Sequence, residues 1–311
     1  MATRALPYLG LLGLLWIFGA QGSPSAQSLL AELKEKSASN GLVIAGVMDR
    51  EFMVFPFAGS PFFRRFFNYH GGLARIAPDG EAILVLGLND GAIPAQGFAL
   101  INAEGRVIAL LNRDVINVAD FALASDRISI VFAGNDPATG QVGVYIARLG
   151  TADIRLIVPL ESYRGAPAET SVTWVPDRSA VLFSRAGQVW RYDVASEGSS
   201  VLFPAATNPS CSPDGKWIAY RDSNGYAAVA SRLGSGARRA SRNPINGYIH
   251  WSPDSEYYFV DEMVPRSSPQ RCPFGNCFVV YRLRDGSRLQ LHGTDRKDAF
   301  FGWLQGPWPL K

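Results

Sequence analysis

Cys211-Ser212-Pro213-Asp214-Gly215, running straight into Lys216-Trp217-Ile218-Ala219-Tyr220, limits what this chain can fold into more than any other stretch. Pro213 presets φ for the first corner of a β-turn, Asp214 suits hydrogen bonding to nearby amides, and Gly215 tolerates positive φ. The Trp, Ile and Tyr that follow suit a pleated surface. The same arrangement returns at Pro78-Asp79-Gly80 before Ala82–Val85, at Pro176-Asp177-Arg178 before Ala180–Phe183, and at Pro253-Asp254-Ser255 before Tyr257–Val260. A copy without the proline, Ser125-Asp126-Arg127, precedes Ile128–Phe132. The turn aspartates fall at 79, 126, 177, 214 and 254, which gives intervals of 47, 51, 37 and 40 residues. Repeats of this length, each holding several short strands, indicate a propeller or a related array.

Five repeats, each opening with a strand ahead of its turn, account for the chain from about Leu73 to His292. The ends do not make whole repeats. Leu42–Met48, Phe52–Phe57 and Phe62–Phe67 read as three strands without an inner one, and Phe300–Gln305 reads as an inner strand without followers. Together they complete a sixth four-stranded unit, which removes the free edge an open array would expose. The expected fold is therefore all-β: a six-bladed β-propeller over 41–311, closed by one composite blade built from N- and C-terminal strands.

The repeated Trp/Cys-Ser-Pro-Asp-Gly/Ser turn, followed by an aromatic-rich strand, resembles the WD40-like Pro-Asp repeats (PD40) of the TolB-like six-bladed propellers. The resemblance covers about residues 41 to 311 and is strongest at 171–185, 209–220 and 248–260. It implies that Asp79, Asp177, Asp214 and Asp254 are structural turn residues, and that the protein binds other proteins across the open face of a ring. Only a short helix precedes the blades here.

Residues 1–26 have the form of a secretory signal peptide: Arg4, an apolar run from Leu6 to Ala20, then Ala20-Gln21-Gly22 and Pro24-Ser25-Ala26 as cleavage sites. The other reading is an uncleaved anchor, but the run falls short of the roughly 20 residues a spanning helix needs. Segment 27–40 holds a short helix over Ser28–Lys36 and a linker. After cleavage no segment is expected to span a membrane, so the protein is expected to be secreted or periplasmic. In an oxidising compartment Cys272 and Cys277, flanking a four-residue loop, are placed to form a disulfide. Cys211 stands where the sister repeats have Trp174 and Trp251, as a small buried residue with an inert thiol.

The net charge of +3 is too mild to point to nucleic acid, and Arg238, Arg239 and Arg242 read as a solvated loop. His70, His250 and His292 are too widely spaced for a local metal motif. His70 and His292 nevertheless both enter connectors between neighbouring blades, and His250 lies on an inner strand. No cofactor is expected, and no Gly-x-Ser-x-Gly elbow is present. The connectors also carry Tyr69, Arg113, Tyr163, Arg164, Asn243, Asn246 and Arg296. Arg and Tyr are the residue types that anchor protein interfaces. With the long 261–276 loop, these form the expected binding surface of a monomeric, non-enzymatic scaffold that holds a protein, peptide or cell-envelope partner. The alternative is a propeller-fold hydrolase or lyase with its active site at the channel mouth.

Overall fold

The computed structural model describes residues 24–48, 51–57, 62–63, 74–87, 97–111, 113–163, 166–167, 170–264, 276–291 and 299–306. These form six four-stranded antiparallel sheets, one small hairpin and one helix. Five sheets follow the five repeats. The fourth, for example, runs Ala206–Cys211, Trp217–Asp222, Tyr226–Ser231, Arg238–Pro244 in spatial order. The sixth combines the two ends of the chain. Ala299–Leu304 pairs antiparallel with Val43–Met48, with Leu304 opposite Val43 and Trp303 opposite Ile44, and Glu51–Pro56 and Phe62–Phe63 follow.

Burial explains the apolar runs behind each turn. Ala82–Val85, Ile130–Ala133, Ala180–Phe183 and Tyr257–Val260 are buried at every position. A strand alternates only when one of its faces meets water, so runs like these mark sheets covered on both sides. Six apolar clusters do the covering, each shared by two sheets. The terminal sheet meets the first through Val43, Leu304 and Val85, and the first meets the second through Phe98, Phe121 and Phe132. Clusters joining the second to the third, the third to the fourth and the fourth to the fifth sheet continue the series. The fifth sheet then meets the terminal one through Tyr257, Phe259 and Trp303. Outer strands are wetter: Val107, Ile108 and Val201 are exposed.

The turns share one internal design. The Oδ1 of Asp79, Asp177, Asp214 and Asp254 accepts from the amide two residues on, at 2.9–3.1 Å. In the fourth and fifth repeats a buried serine completes it. Ser212 and Ser252 donate to that aspartate at 2.6 Å and accept from the amides of Trp217 and Tyr257. The residue after the aspartate is left-handed in all five: φ is 75° at Gly80, 59° at Arg127, 59° at Arg178, 71° at Gly215 and 62° at Ser255. That conformation is costly for a residue with a Cβ. At Arg127 and Arg178 it aims the guanidinium at the preceding repeat, where each pairs with a turn carboxylate, Asp79 at 2.5 Å and Asp126 at 2.6 Å. Arg232 of the fourth repeat does the same for Asp177.

A Cβ at Gly80 would stand 2.7 Å from the Gln305 backbone N and 2.8 Å from Pro253 Cγ, whereas at Gly215 the nearest atom is 3.8 Å away. Gly215→Ala should therefore cost only the left-handed backbone penalty, about 1 kcal/mol. Gly80→Ala should cost about 2–3 kcal/mol, because it adds a clash with backbone that cannot swing away. Urea unfolding of the two variants side by side checks the difference.

Three features depart from the sequence reading. The helix spans Pro24–Asn40 rather than Ser28–Lys36, so it begins inside the 1–26 segment and places Pro24-Ser25-Ala26 in its first turn. Leu29 and Leu33 sink into the cluster between the fifth and terminal sheets. Glu32 takes Arg282 at 2.5 Å, Arg284 at 3.0 Å and the Tyr257 hydroxyl, and Lys36 reaches Asp254 at 2.5 Å and Glu256 at 2.7 Å. A short isolated helix is marginal in water, and this one is held by its docking. Second, the connector after the second sheet folds into a hairpin that pairs Ser162–Tyr163 with Ala166–Pro167. Third, Arg238, Arg239 and Arg242 lie on the outer strand of the fourth sheet, not in a loop. Among the described residues no helix is long and apolar enough to cross a membrane.

Candidate functional site

The first strands of all six sheets converge on one cavity of about 140 Å3, lined among others by Arg75, Asp120, Thr173, Ser210, His250 and Gly302, one from each. Alternation along the strand puts Arg75 there. Its neighbours Ala74 and Ile76 pack into the apolar cluster between the terminal and first sheets, which leaves Arg75 pointing the other way. Arg75 Nη2 donates to Asp120 Oδ1 at 2.5 Å, and its guanidinium lies 4.7 Å from the centre of the Tyr248 ring. Asp120 Oδ2 accepts from the Val172 amide at 3.0 Å, so one carboxylate from the second sheet ties down the first and the third.

Asp120 is 2% exposed. Burial raises its carboxyl above the ordinary range, with Arg75 and the Val172 amide pulling the other way. The guanidinium keeps its proton at any physiological pH, so the pair is balanced as an ion pair. Burial, reinforced by Asp120, pushes the Tyr248 phenol up to about 12, and it stays neutral. His250 stacks on Phe259 with ring centroids 4.5 Å apart, and its carbonyl accepts from Trp303 Nε1 at 3.0 Å.

Of the residues expected in connectors, Arg113 and Asn246 lie there, whereas Asn243 lies on the outer strand of the fourth sheet; all three engage the protein's own acids. Arg113 Nη2 donates to both oxygens of Asp136 at 2.8 Å. Asn243 Nδ2 donates to Glu262 Oε2 at 3.0 Å, and Glu262, fully buried, also accepts from the Arg242 amide, the Tyr281 hydroxyl and Arg288. Asn246 reaches Asp261 through its side chain at 3.4 Å and through its amide at 2.8 Å. Asn243 and Asn246 are thus brought together on adjacent acids near the end of the strand Tyr257–Met263; that strand pairs with Asn276–Arg282 as far as Met263 opposite Asn276, so the expected 261–276 loop is strand at both ends. Arg113 stands apart from them, at the second sheet. Tyr69, His70, Arg164, His292, Arg296 and Cys272 lie outside the described residues, as does the Tyr163 side chain. Cys277 is fully buried in the third strand of the fifth sheet. Cys211 is half-buried, and desolvation pushes its thiol up to about 12, which keeps it protonated and unreactive. Among the described residues no three His, Cys, Asp or Glu side chains are grouped to hold a metal ion.

Asp261 carries a pH consequence. Burial lifts its carboxyl to about 6, with the Asn246 bond working against the rise. An unfolded aspartate titrates near 3.9, so between these values the folded chain binds the extra proton and stability falls as pH rises through that window. Asp261→Asn should remove this slope and raise the melting temperature at about pH 7.5 while changing little at about pH 4. Thermal melts across that range test it.

Arg75, Asp120 and Tyr248 were not legible as a site from spacing. The available signal was a charge inside each of two otherwise apolar inner strands, Ala74-Arg75-Ile76 and Ala119-Asp120-Phe121.

No family model matches this chain, and no curated protein matches it. Solved structures do. TolB from Acinetobacter baumannii superposes with a TM-score of 0.59 at 17% identity, over 84% of this chain and 66% of that one. A putative TolB from Agrobacterium tumefaciens gives 0.54 at 14% identity, over 86% of this chain and 98% of that one. The chain thus spans just under two thirds of the length of the first. At these identities the likeness is one of architecture, and the conclusion it carries is that this chain has a TolB-like β-propeller fold.

Proposed function

We propose that this protein is an exported, non-enzymatic scaffold. In this reading the six sheets are the blades of one closed ring, with the terminal sheet as the composite blade. A protein or peptide partner of the cell envelope sits on the side carrying the connectors and the segment 264–275, between the second and third strands of the fifth sheet. The observation that carries it is the axial cavity. Small-molecule sites occupy roughly 300–1,000 Å3, and this one offers about 140 Å3. Its described lining supplies a single carboxylate, Asp120, already neutralised by Arg75. Acid–base hydrolysis of a sugar calls on two. A scaffold needs the opposite arrangement, a rigid wheel whose interior is self-satisfied and whose loops meet the partner.

Three further assignments belong to this reading. Cleavage falls after Ala20-Gln21-Gly22, which leaves the helix from Pro24 whole. The mature protein is a periplasmic or secreted monomer. Cys272 and Cys277 form a disulfide that narrows the ensemble of the loop between them and lowers the entropy lost on binding. Photo-crosslinkers placed at Asn246, on a connector, and at Ser196, on an exposed turn between outer strands, test the surface in the native envelope fraction. One discrete adduct from position 246 and none from 196 is the expected result. Adducts from 196 alone, or turnover of glycoside or lactone substrates by the purified protein, would replace the reading.

A further inference from the structure

An asparagine followed by glycine can modify itself. The glycine backbone nitrogen attacks the asparagine side-chain carbonyl carbon, and ring closure needs no second molecule, so local geometry sets its rate. The chain holds three such pairs, Asn40-Gly41, Asn224-Gly225 and Asn246-Gly247. Two are shut. The Asn40 carbonyl accepts from the Gly306 amide at 3.1 Å, and a Cβ at Gly41 would stand 2.4 Å from the Gly306 oxygen, which leaves no space for the ring. The Gly225 amide is spent on the Asp222 carbonyl at 2.9 Å, and Gly225 is buried.

Asn246-Gly247 is open. Asn246 is exposed, in the connector between the fourth and fifth sheets and outside any strand. A Cβ at Gly247 would meet nothing within 4 Å, and the Gly247 amide donates to no group among the described residues. The flanks are fixed nonetheless. The Asn246 amide donates to the Asp261 carbonyl, and the Gly247 carbonyl accepts from Asn208 Nδ2, both at 2.8 Å. The attacking nitrogen is thus bare between two anchors. At the other reacting atom lies Asp261, whose Oδ2 is 3.4 Å from Asn246 Nδ2, the nitrogen that must depart. Burial lifts that carboxyl to about 6, so part of it carries a proton near neutral pH.

We propose that Asn246-Gly247 is a self-modification site, at which the folded protein converts a neutral connector side chain to a carboxylate with Asp261 serving the leaving nitrogen. The bond from Gly247 N to Asn246 Cγ forms as the Cγ–Nδ2 bond breaks. The proton of the Gly247 amide passes to water, Asp261 protonates the departing nitrogen, and ammonia leaves. Water then opens the cyclic imide at either carbonyl, giving aspartate or isoaspartate at position 246, and Asp261 recovers its proton from solvent. The product sets a second carboxylate against Asp261 where an amide donor stood, and like charges so close repel. The modification does not depend on which partner the connectors hold.

The test follows the full mature protein in near-neutral buffer by peptide mapping, which separates aspartyl from isoaspartyl forms, with released ammonia measured alongside. Conversion at position 246, matched by ammonia, is the expected result, with Asn40 and Asn224 intact. Asp261→Asn, which should fold at least as stably, is expected to slow conversion about tenfold. Asn246→Gln should release no ammonia over the same period, and Asn246→Asp should reproduce the lowered melting temperature of the aged protein. Three outcomes would each overturn the proposal: an intact Asn246 in the folded protein over a time in which the urea-unfolded chain converts, earlier conversion at Asn40 or Asn224, or a wild-type rate in Asp261→Asn.

Discussion

Trp303→Ala should cost about 3–5 kcal/mol, the range for removing a large buried aromatic, and should loosen both ends of the chain together. Trp303 is 2% exposed and lies within 5.8 Å, centroid to centroid, of both Phe57 and Phe259, and within 6.2 Å of Tyr257. Its indole N–H also satisfies the His250 carbonyl. Alanine leaves a cavity where the helix, the fifth sheet and the terminal sheet meet, and orphans that carbonyl. Trp303→Phe restores most of the packing and loses only the hydrogen bond, so about 1–2 kcal/mol is expected. Guanidinium unfolding gives the energies. Hydrogen exchange gives the location: amides of Val43–Met48 should lose protection in the alanine variant before those of Ala180–Arg185. A loss below about 1 kcal/mol for Trp303→Ala would mean that the terminal strand is not what closes the array.

Asp120→Ala should be as damaging for a different reason. It leaves the Arg75 charge in a confined cavity without a counter-ion, and the Val172 amide without its acceptor. Removing one partner of a buried pair typically costs about 3–5 kcal/mol. Asp120→Asn keeps an acceptor for Val172 and should fall between wild type and alanine. Replacing both, as Asp120→Leu with Arg75→Met, should recover much of the loss, because desolvating two charges offsets most of what their attraction gains. A double-mutant cycle on thermal unfolding isolates the pair. Additive effects of the two single changes would show that each residue acts through packing alone.

The sheets were legible in the sequence because their signals are local. Pro-Asp turns fix where each second strand starts, and a strand buried on both faces reads as an unbroken apolar run such as Ala180-Val181-Leu182-Phe183. The union of the tail around Trp303 with the stretch at Val43 followed from counting strands, and the two segments are paired. What stayed hidden depends on contacts between repeats. Nothing near Asp120 in the chain announces Arg75, because the partner comes from another sheet. The extra helical turns at Pro24 and Asn40 were missed because Ser37, Ser39 and Asn40 are poor helix formers. Packing on the fifth sheet holds the helix there, and its Leu42 end is tied back to the Lys36 carbonyl. Asn243 and Asn246 read as interface residues because both were expected in a connector, where only Asn246 lies. Their side chains are spent on Glu262 and Asp261, which no spacing rule reveals.

Pairing Val43–Met48 with Ala299–Leu304 makes the earliest described strand wait for the latest. Contacts so distant in sequence form slowly, since the intervening chain must be ordered first. A polypeptide still emerging from the ribosome therefore has one uncapped sheet at its front and no means of shutting the circle. The strand at Val43 thus gains its second partner strand, and with it protection from solvent, in a single late event.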